Sequence, residues 1–204
     1  MNGIKKKIIF ERLKEHLEVV EILVKDQNFI SSLENVVKIL FESLNRGGKI
    51  LICGNGGSAA DSQHMAAELV GRFFLERKAI DAEALTTNTS SLTAIGNDYH
   101  FEKIFARQVE AKGKTGDILI GISTSGNSKN VIEALKTAKN MGMLTIGMTG
   151  SNRKNLISQL ADYCLCVPSV STPRIQEGHM LIYHMICEFL EAELFGKLKV
   201  KNKK

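Results

Sequence analysis

Two turns in this 204-residue chain have compositions suited to holding an anion. The first, Cys53-Gly-Asn-Gly-Gly-Ser-Ala59, contains three glycines, which permit positive φ and let the backbone come close to a ligand. The second, Gly121-Ile-Ser-Thr-Ser-Gly-Asn-Ser128, offers four hydroxyls and a glycine but no lysine. A capping loop with surplus serines is the simpler alternative, yet capping one helix needs only one hydroxyl. Ser123, Thr124, Ser125 and Ser128 together therefore read as a phosphate site built from hydroxyls and backbone amides, whose bonds to a charged group are stronger than neutral ones. The glycine turn reads G-x-G-G-S-A rather than G-x-G-x-x-G, and a dinucleotide there would leave the serine turn unexplained. No Gly-Lys-Ser/Thr occurs at either turn, which excludes a Walker loop.

Downstream of the first turn, His64 and Glu68 stand four residues apart, on one face of a helix. Late in the chain, Gln176 and His184 fall on an otherwise apolar helical segment. Imidazole and carboxylate suit a divalent first-row metal, and an amide oxygen is a weaker ligand. From spacing alone, His64 and Glu68 read more often as a surface polar pair than as a metal site.

These groups need elements to hold them. Apolar positions at helical spacing fill the first 45 residues (Ile8, Leu13, Leu17, Val20, Leu23, Val24; then Leu33, Val36, Val37, Leu40, Phe41, Leu44), predicting two helices broken near Asp26 and stopped at Arg46-Gly-Gly48. From Lys49 onward, short apolar runs at 50–53, 79–85, 117–122, 144–148 and 163–167 alternate with helix-length segments. That alternation predicts an α/β three-layer sandwich around a five-stranded parallel sheet, preceded by N-terminal helices. Pro173 opens a last helix running to about Phe195. The organisation predicted is an N-terminal helical extension over 1–45 that packs on the core and on partner subunits, one domain over 46–196, and a lysine-rich, disordered tail over 197–204. In an open parallel sheet, ligands bind at the carboxyl ends of strands, where both turns belong.

Bulk composition narrows the class. Five lysines in that tail equal the whole formal charge excess of +5, so the body is neutral and no aromatic residues interleave with the basic ones; nucleic acid is not indicated. No run of 18 apolar residues marks a membrane span, and no export signal opens the chain. Cys53, Cys164, Cys166 and Cys187 make no C-x-x-C pair and read as reduced thiols of a cytoplasmic protein.

The segments LICGNGGSAADSQHMAAELVGRF, LTAIGNDYHFEKIF, GISTSGNS and STPRIQEGHMLIYH resemble the phosphoheptose isomerases of the sugar-isomerase (SIS) domain superfamily, over about residues 30–195. The glycine and serine turns are shared across that superfamily, whereas the His–Glu and Gln–His placements are more specific to the isomerase. The resemblance implies conversion of sedoheptulose 7-phosphate into D-glycero-D-manno-heptose 7-phosphate for lipopolysaccharide or capsule. It also implies a homotetramer with sites at subunit interfaces and one zinc ion (Zn2+) per subunit. By that resemblance His64, Glu68, Gln176 and His184 are the zinc ligands. Asn55, Gly56, Gly57, Glu68, Arg72, Asn97, Asp98, Ser123, Thr124, Ser125, Ser128 and Gln176 contact the substrate, and Glu68 and His184 are catalytic.

Eight residues separate Gln176 from His184, about 12 Å of rise along a straight helix, too far for two side chains to meet easily on one ion. Either the helix is distorted near Gly178 or the ligands come from different protomers. Three positions depart from the family pattern: Asn88 where Asp is common, His100 where Gly is frequent, and Gly178 within a helix. The competing readings are a non-catalytic SIS tetramer that binds a replication initiator, a sugar-phosphate-sensing regulatory domain, and an etherase on the same fold. The first needs none of the four polar residues, the second is usually fused to a DNA-binding module, and the third is normally longer.

Overall fold

A computed structural model describes residues 2–152 and 154–196; the lysine-rich stretch 197–204 lies outside the described residues. Helices α1 (Asn2–Lys25) and α2 (Gln27–Asn45) come first, followed by β1 (Ile50–Gly54), α3 (Gly57–Val70), β2 (Ala82–Ala84), α4 (Thr89–Asp98) and, after a 3-10 turn, α5 (Ala106–Lys112). Then come β3 (Ile118–Ile122), α6 (Lys129–Asn140), β4 (Leu144–Thr149), α7 (Leu156–Leu160), β5 (Tyr163–Cys166) and α8 (Thr172–Phe195). The five strands form one parallel sheet in the order β2-β1-β3-β4-β5. The predicted α/β architecture is therefore the one found.

Strand β3 explains why the sheet lies in the middle. All five of its residues are buried, and alternate side chains feed opposite cores. Ile118, Ile120 and Ile122 pack with α2, α3 and α8, whereas Leu119 packs with Val131 and Leu135 of α6 and Val109 of α5. A strand covered on both faces must be apolar throughout, and each such Ile or Leu contributes about 1.5–3 kcal/mol by burial.

The two N-terminal helices differ sharply. Asp26 caps α2 by accepting from the amides of Asn28 and Phe29, and Phe29, Leu33, Val36, Val37 and Leu40 are buried. On α1, Leu23 is buried, but Ile8, Leu13, Leu17 and Val24 are exposed at 46%, 62%, 59% and 67%. The period predicted there is present, but the apolar face it marks is uncovered in a single chain. Among the described residues no helix is long and apolar enough to cross a membrane.

The departures from the family pattern find local reasons. Asn88 caps α4 by accepting from the Ser91 amide, a task Asn and Asp perform equally well. His100 has φ −166°, extended backbone that requires no glycine. Gly178 lies where a Cβ would come within 2.6 Å of the Val167 side chain, so the absence of a side chain lets α8 approach the end of β5. α8 runs uninterrupted past it, so of the two alternatives for Gln176 and His184 the distortion at Gly178 is absent.

Candidate active site

Gly54 of β1 pairs with Ile122 of β3, so the glycine turn and the serine turn lie side by side at the carboxyl ends of adjacent strands. The strand order reverses between β1 and β3, the place where open α/β sheets leave a crevice. A reciprocal amide pair ties the two turns together: Asn55 Nδ2 donates to Asn130 Oδ1 and Asn130 Nδ2 donates to Asn55 Oδ1, both at 2.8 Å. The Asn55 side chain is thus held by the scaffold with one amide hydrogen and one oxygen lone pair left over. Asn130, 75 residues away in sequence, is a positioning residue that sequence reasoning missed.

In the serine turn Ser123 is buried, and its Oγ lies 2.9 Å from Ser128 Oγ and 3.4 Å from Ser125 Oγ. Gly126 has φ +68°, which turns the chain into α6 and brings its amide to Ser123 Oγ at 3.2 Å. Ser128 occupies the N-cap of α6 yet makes no capping bond, because its hydroxyl points back to Ser123. The positive end of a 12-residue helix is therefore left without its own cap, beside three converging hydroxyls. The backbone oxygen of Thr124 accepts from the Gly150 amide at 3.1 Å, fixing the turn to the end of β4.

On the other side of the crevice, α3 and α8 carry the polar cluster. His64 Nε2 lies 3.1 Å from Glu68 Oε1, and Nδ1 lies 3.0 Å from the Tyr183 hydroxyl. The His184 ring stands 5.1 Å from that of His64, edge to face. His184 Nε2 is buried with no hydrogen-bond partner. Burial and the neighbouring His64 hold His184 below the ordinary imidazole range, against a smaller opposite pull from Glu68. Tyr183 is pushed up by burial and by Asp61, Cys187 and Glu68, so it stays a hydroxyl.

Gln176 sits two turns before His184, and both line a groove of about 610 Å³ with His16, Gly57, Asp61 and Glu177. The groove's wall explains a second glycine: a Cβ on Gly57 would collide with the Gln176 amide. Asp61, one turn ahead of His64, is buried, and its Oδ2 has no partner. Burial raises its carboxyl to about 6, with His64 opposing. Its position three residues before His64 on the same helical face was the available signal, and sequence reasoning passed over it.

The remaining candidates are exposed. Arg72 follows the end of α3, is exposed, and pairs only loosely with Glu76 at 3.9 Å. Asn97 and Asp98 end α4, exposed and bonded to each other at 2.9 Å.

Two imidazoles, a carboxylate and an amide suit zinc in type, and the orphaned Nε2 of His184 is the atom such an ion would satisfy. Yet among the described residues no three His, Cys, Asp or Glu side chains converge closely enough to hold an ion. One chain therefore supplies the donors without closing the site.

Similarity to known proteins agrees with this geometry. The SIS domain family matches residues 14–150. The phosphoheptose isomerase of Clostridium acetobutylicum is 51% identical over 195 residues, spanning 94% of this chain and 97% of that protein. The solved phosphoheptose isomerase of Neisseria gonorrhoeae is 42% identical, covers 92% of this chain and 98% of its own, and superposes with a TM-score of 0.85. That of Francisella tularensis is 34% identical over 93% of this chain and 98% of its own, with a TM-score of 0.86. The paired turns, the His–Glu and Gln–His placements and this end-to-end similarity place the chain in the phosphoheptose isomerase family of SIS-domain proteins.

Proposed function

We propose that the chain interconverts sedoheptulose 7-phosphate and D-glycero-D-manno-heptose 7-phosphate, supplying heptose for lipopolysaccharide or capsule in the cytoplasm. The observation that carries this reading is the crevice itself: an uncapped helix N-terminus ringed by hydroxyls faces, across one pair of turns, a helix pair bearing Glu68, His64 and His184. The phosphate takes the serine turn, with Ser123, Thr124, Ser125, Ser128 and the first amides of α6 as donors.

Aldose–ketose isomerisation moves one proton between adjacent carbons through an enediol, so one base must reach both. Glu68 fills that role. Burial holds His184 below the ordinary imidazole range, and the ring manages the protons of the sugar oxygens when its Nε2 is not on the metal. Tyr183 keeps the His64 ring in place from behind. His64, Glu68, Gln176 and His184 would hold one zinc ion per subunit, and bound zinc supplies a Lewis acid for the carbonyl oxygen. Because one chain leaves these donors unconverged, the site is completed in a homotetramer with active sites at subunit interfaces. The exposed apolar residues of α1 supply a surface for that assembly.

The test is direct. Purified protein incubated with sedoheptulose 7-phosphate yields the aldose, and Glu68→Gln and His184→Ala each lower the rate by at least about 100-fold. Full activity in both variants refutes the assignment.

A further inference from the structure

Helix α7 begins against the serine turn, and two of its first three amides are bonded to that turn. The Leu156 amide donates to Asn127 Oδ1 at 3.1 Å and the Ile157 amide to the Gly126 carbonyl at 3.0 Å. The Ser158 amide goes to Asn155 Oδ1 at 2.8 Å. Asn127 is tied in the other direction as well: its Nδ2 donates to the Ser125 carbonyl at 3.1 Å, and its backbone amide donates to Ser125 Oγ at 3.2 Å. Asn155, 2% exposed, lies beneath the turn, where a Cβ on Gly126 would collide with its amide group. Asn155 Nδ2 donates to the Asn152 carbonyl and lies 3.4 Å from Thr149 Oγ1 at the end of β4.

Asparagine is common in turns because its side chain bonds its own backbone two residues further on. Asn127 reaches instead back to Ser125 and forward, across 29 residues, to Leu156. The strand side of the turn is already held, since Thr124 accepts from the Gly150 amide. The helix side, from Ser125 to Asn127, leans on α7. There the Gly126–Ile157 bond holds one backbone atom, and Asn127 joins the Ser125 carbonyl to the Leu156 amide, fixing a residue that carries a hydroxyl. Hydroxyls already held where an anion will sit lose less freedom when it binds, so affinity rises without any new contact to the ligand.

We propose that Asn127 is a positioning residue for the substrate phosphate: by bonding the first amide of α7 and the Ser125 carbonyl at once, it holds the hydroxyls of the serine turn in their anion-binding arrangement. The proposal rests on the phosphate reading of that turn. Leu156→Pro isolates the bond. Leu156 is the first residue of α7 and is 53% exposed, and Asn155 before it has φ −69° and ψ 158°, the extended conformation that a residue preceding proline adopts. Proline at the first helical position fits the helix and removes the amide from which Asn127 accepts.

The experiment is a calorimetric titration of the full-length protein with inorganic phosphate, beside KM and kcat on sedoheptulose 7-phosphate. Asn127→Ala and Leu156→Pro should each raise the phosphate Kd and the KM by about three- to tenfold, with kcat retained. Because both break the same bond, the double variant should be no worse than Asn127→Ala alone. A lowered Tm with unchanged Kd and KM makes the bond merely structural and overturns the proposal, as do additive effects in the double variant. Should Asn127→Ala fail to fold, Leu156→Pro decides by the same two constants. Phosphate that does not bind the unsubstituted protein, or that binds Ser123→Ala/Ser125→Ala equally well, refutes the serine turn as the phosphate site and this proposal with it. Binding lost in the serine variant but unchanged in Asn127→Ala and Leu156→Pro refutes the role of Asn127 alone.

Discussion

Glu191 is buried on α8 and grips the segment that follows α3. Its carboxylate accepts from the amides of Phe73, Phe74 and Leu75 at 2.9, 2.7 and 2.9 Å, and from Arg77 Nε at 2.9 Å. Arg77, also buried, spends its remaining donors on the carbonyls of Glu68, Leu69, Gly71 and Lys78. The clamp therefore closes the end of α3, the same helix turn that carries Glu68. Glu191→Ala would strand a buried guanidinium and three amides, a loss of about 3–5 kcal/mol for breaking a buried pair from one side. For a domain of this size that lowers Tm by about 6–20 °C, measurable by thermal denaturation. Arg77→Met/Glu191→Leu removes both charges and should recover much of the loss, leaving three amides still unpaired. Burial alone would raise the Glu191 carboxyl, but the amides and Arg77 outweigh it and hold it below its usual range. A carboxyl depressed in the folded state stabilises above its unfolded value and loses that contribution as pH falls through the folded one. The clamp's share should accordingly begin to fall as pH drops below about 4.3, the unfolded value, and be gone once the folded carboxyl is itself protonated. A Glu191→Ala protein with an unchanged melting temperature at pH 7 would refute this reasoning.

Two further outcomes follow from the geometry. Gly57→Ala drives a Cβ into the Gln176 amide, so the side chain must swing out of the groove; KM and zinc affinity suffer while Tm moves by less than about 2 °C, and unchanged kinetics would show Gln176 to be unnecessary. His179 is buried neutral, pushed down to about 4 by burial despite its bond to the Thr149 carbonyl at 3.2 Å. Unfolding lets it take up a proton below its ordinary value near 6.5, so it costs stability progressively as pH falls from about 6.5 to 4, by about 3 kcal/mol in all. His179→Gln keeps a donor to Thr149 and should flatten that part of the pH–stability profile; an unaltered profile places the titration elsewhere.

The sheet and both turns were legible because each rests on local chemistry. β3 must be apolar on both faces, and Gly126 and the serine cluster mark a strand-to-helix turn without reference to anything distant. The pairs that hold the site in shape were not legible. Asn55–Asn130, Arg77–Glu191 and His64–Tyr183 span 75, 114 and 119 residues, and no periodicity connects partners that meet only after the sheet forms. Gly178 shows the same limit: a helix position that costs up to about 1 kcal/mol by propensity is favoured once Val167 occupies the space. On α1 the spacing of Leu13 and Leu17 marked an apolar stripe correctly but could not say whether this chain or another covers it.

In the proposed function the two sides of the crevice divide the labour: hydroxyls bind the phosphate, and Glu68 moves the proton. Steady-state kinetics on sedoheptulose 7-phosphate for Glu68→Gln and for Ser123→Ala/Ser125→Ala, measured side by side, tests it most directly. The first variant should lose at least about 100-fold in kcat. The second should raise KM at least about tenfold per hydroxyl, from about 1.5 kcal/mol for each charge-assisted bond, with kcat largely retained. A wild-type kcat in Glu68→Gln, or an unchanged KM in the serine variant, would contradict it.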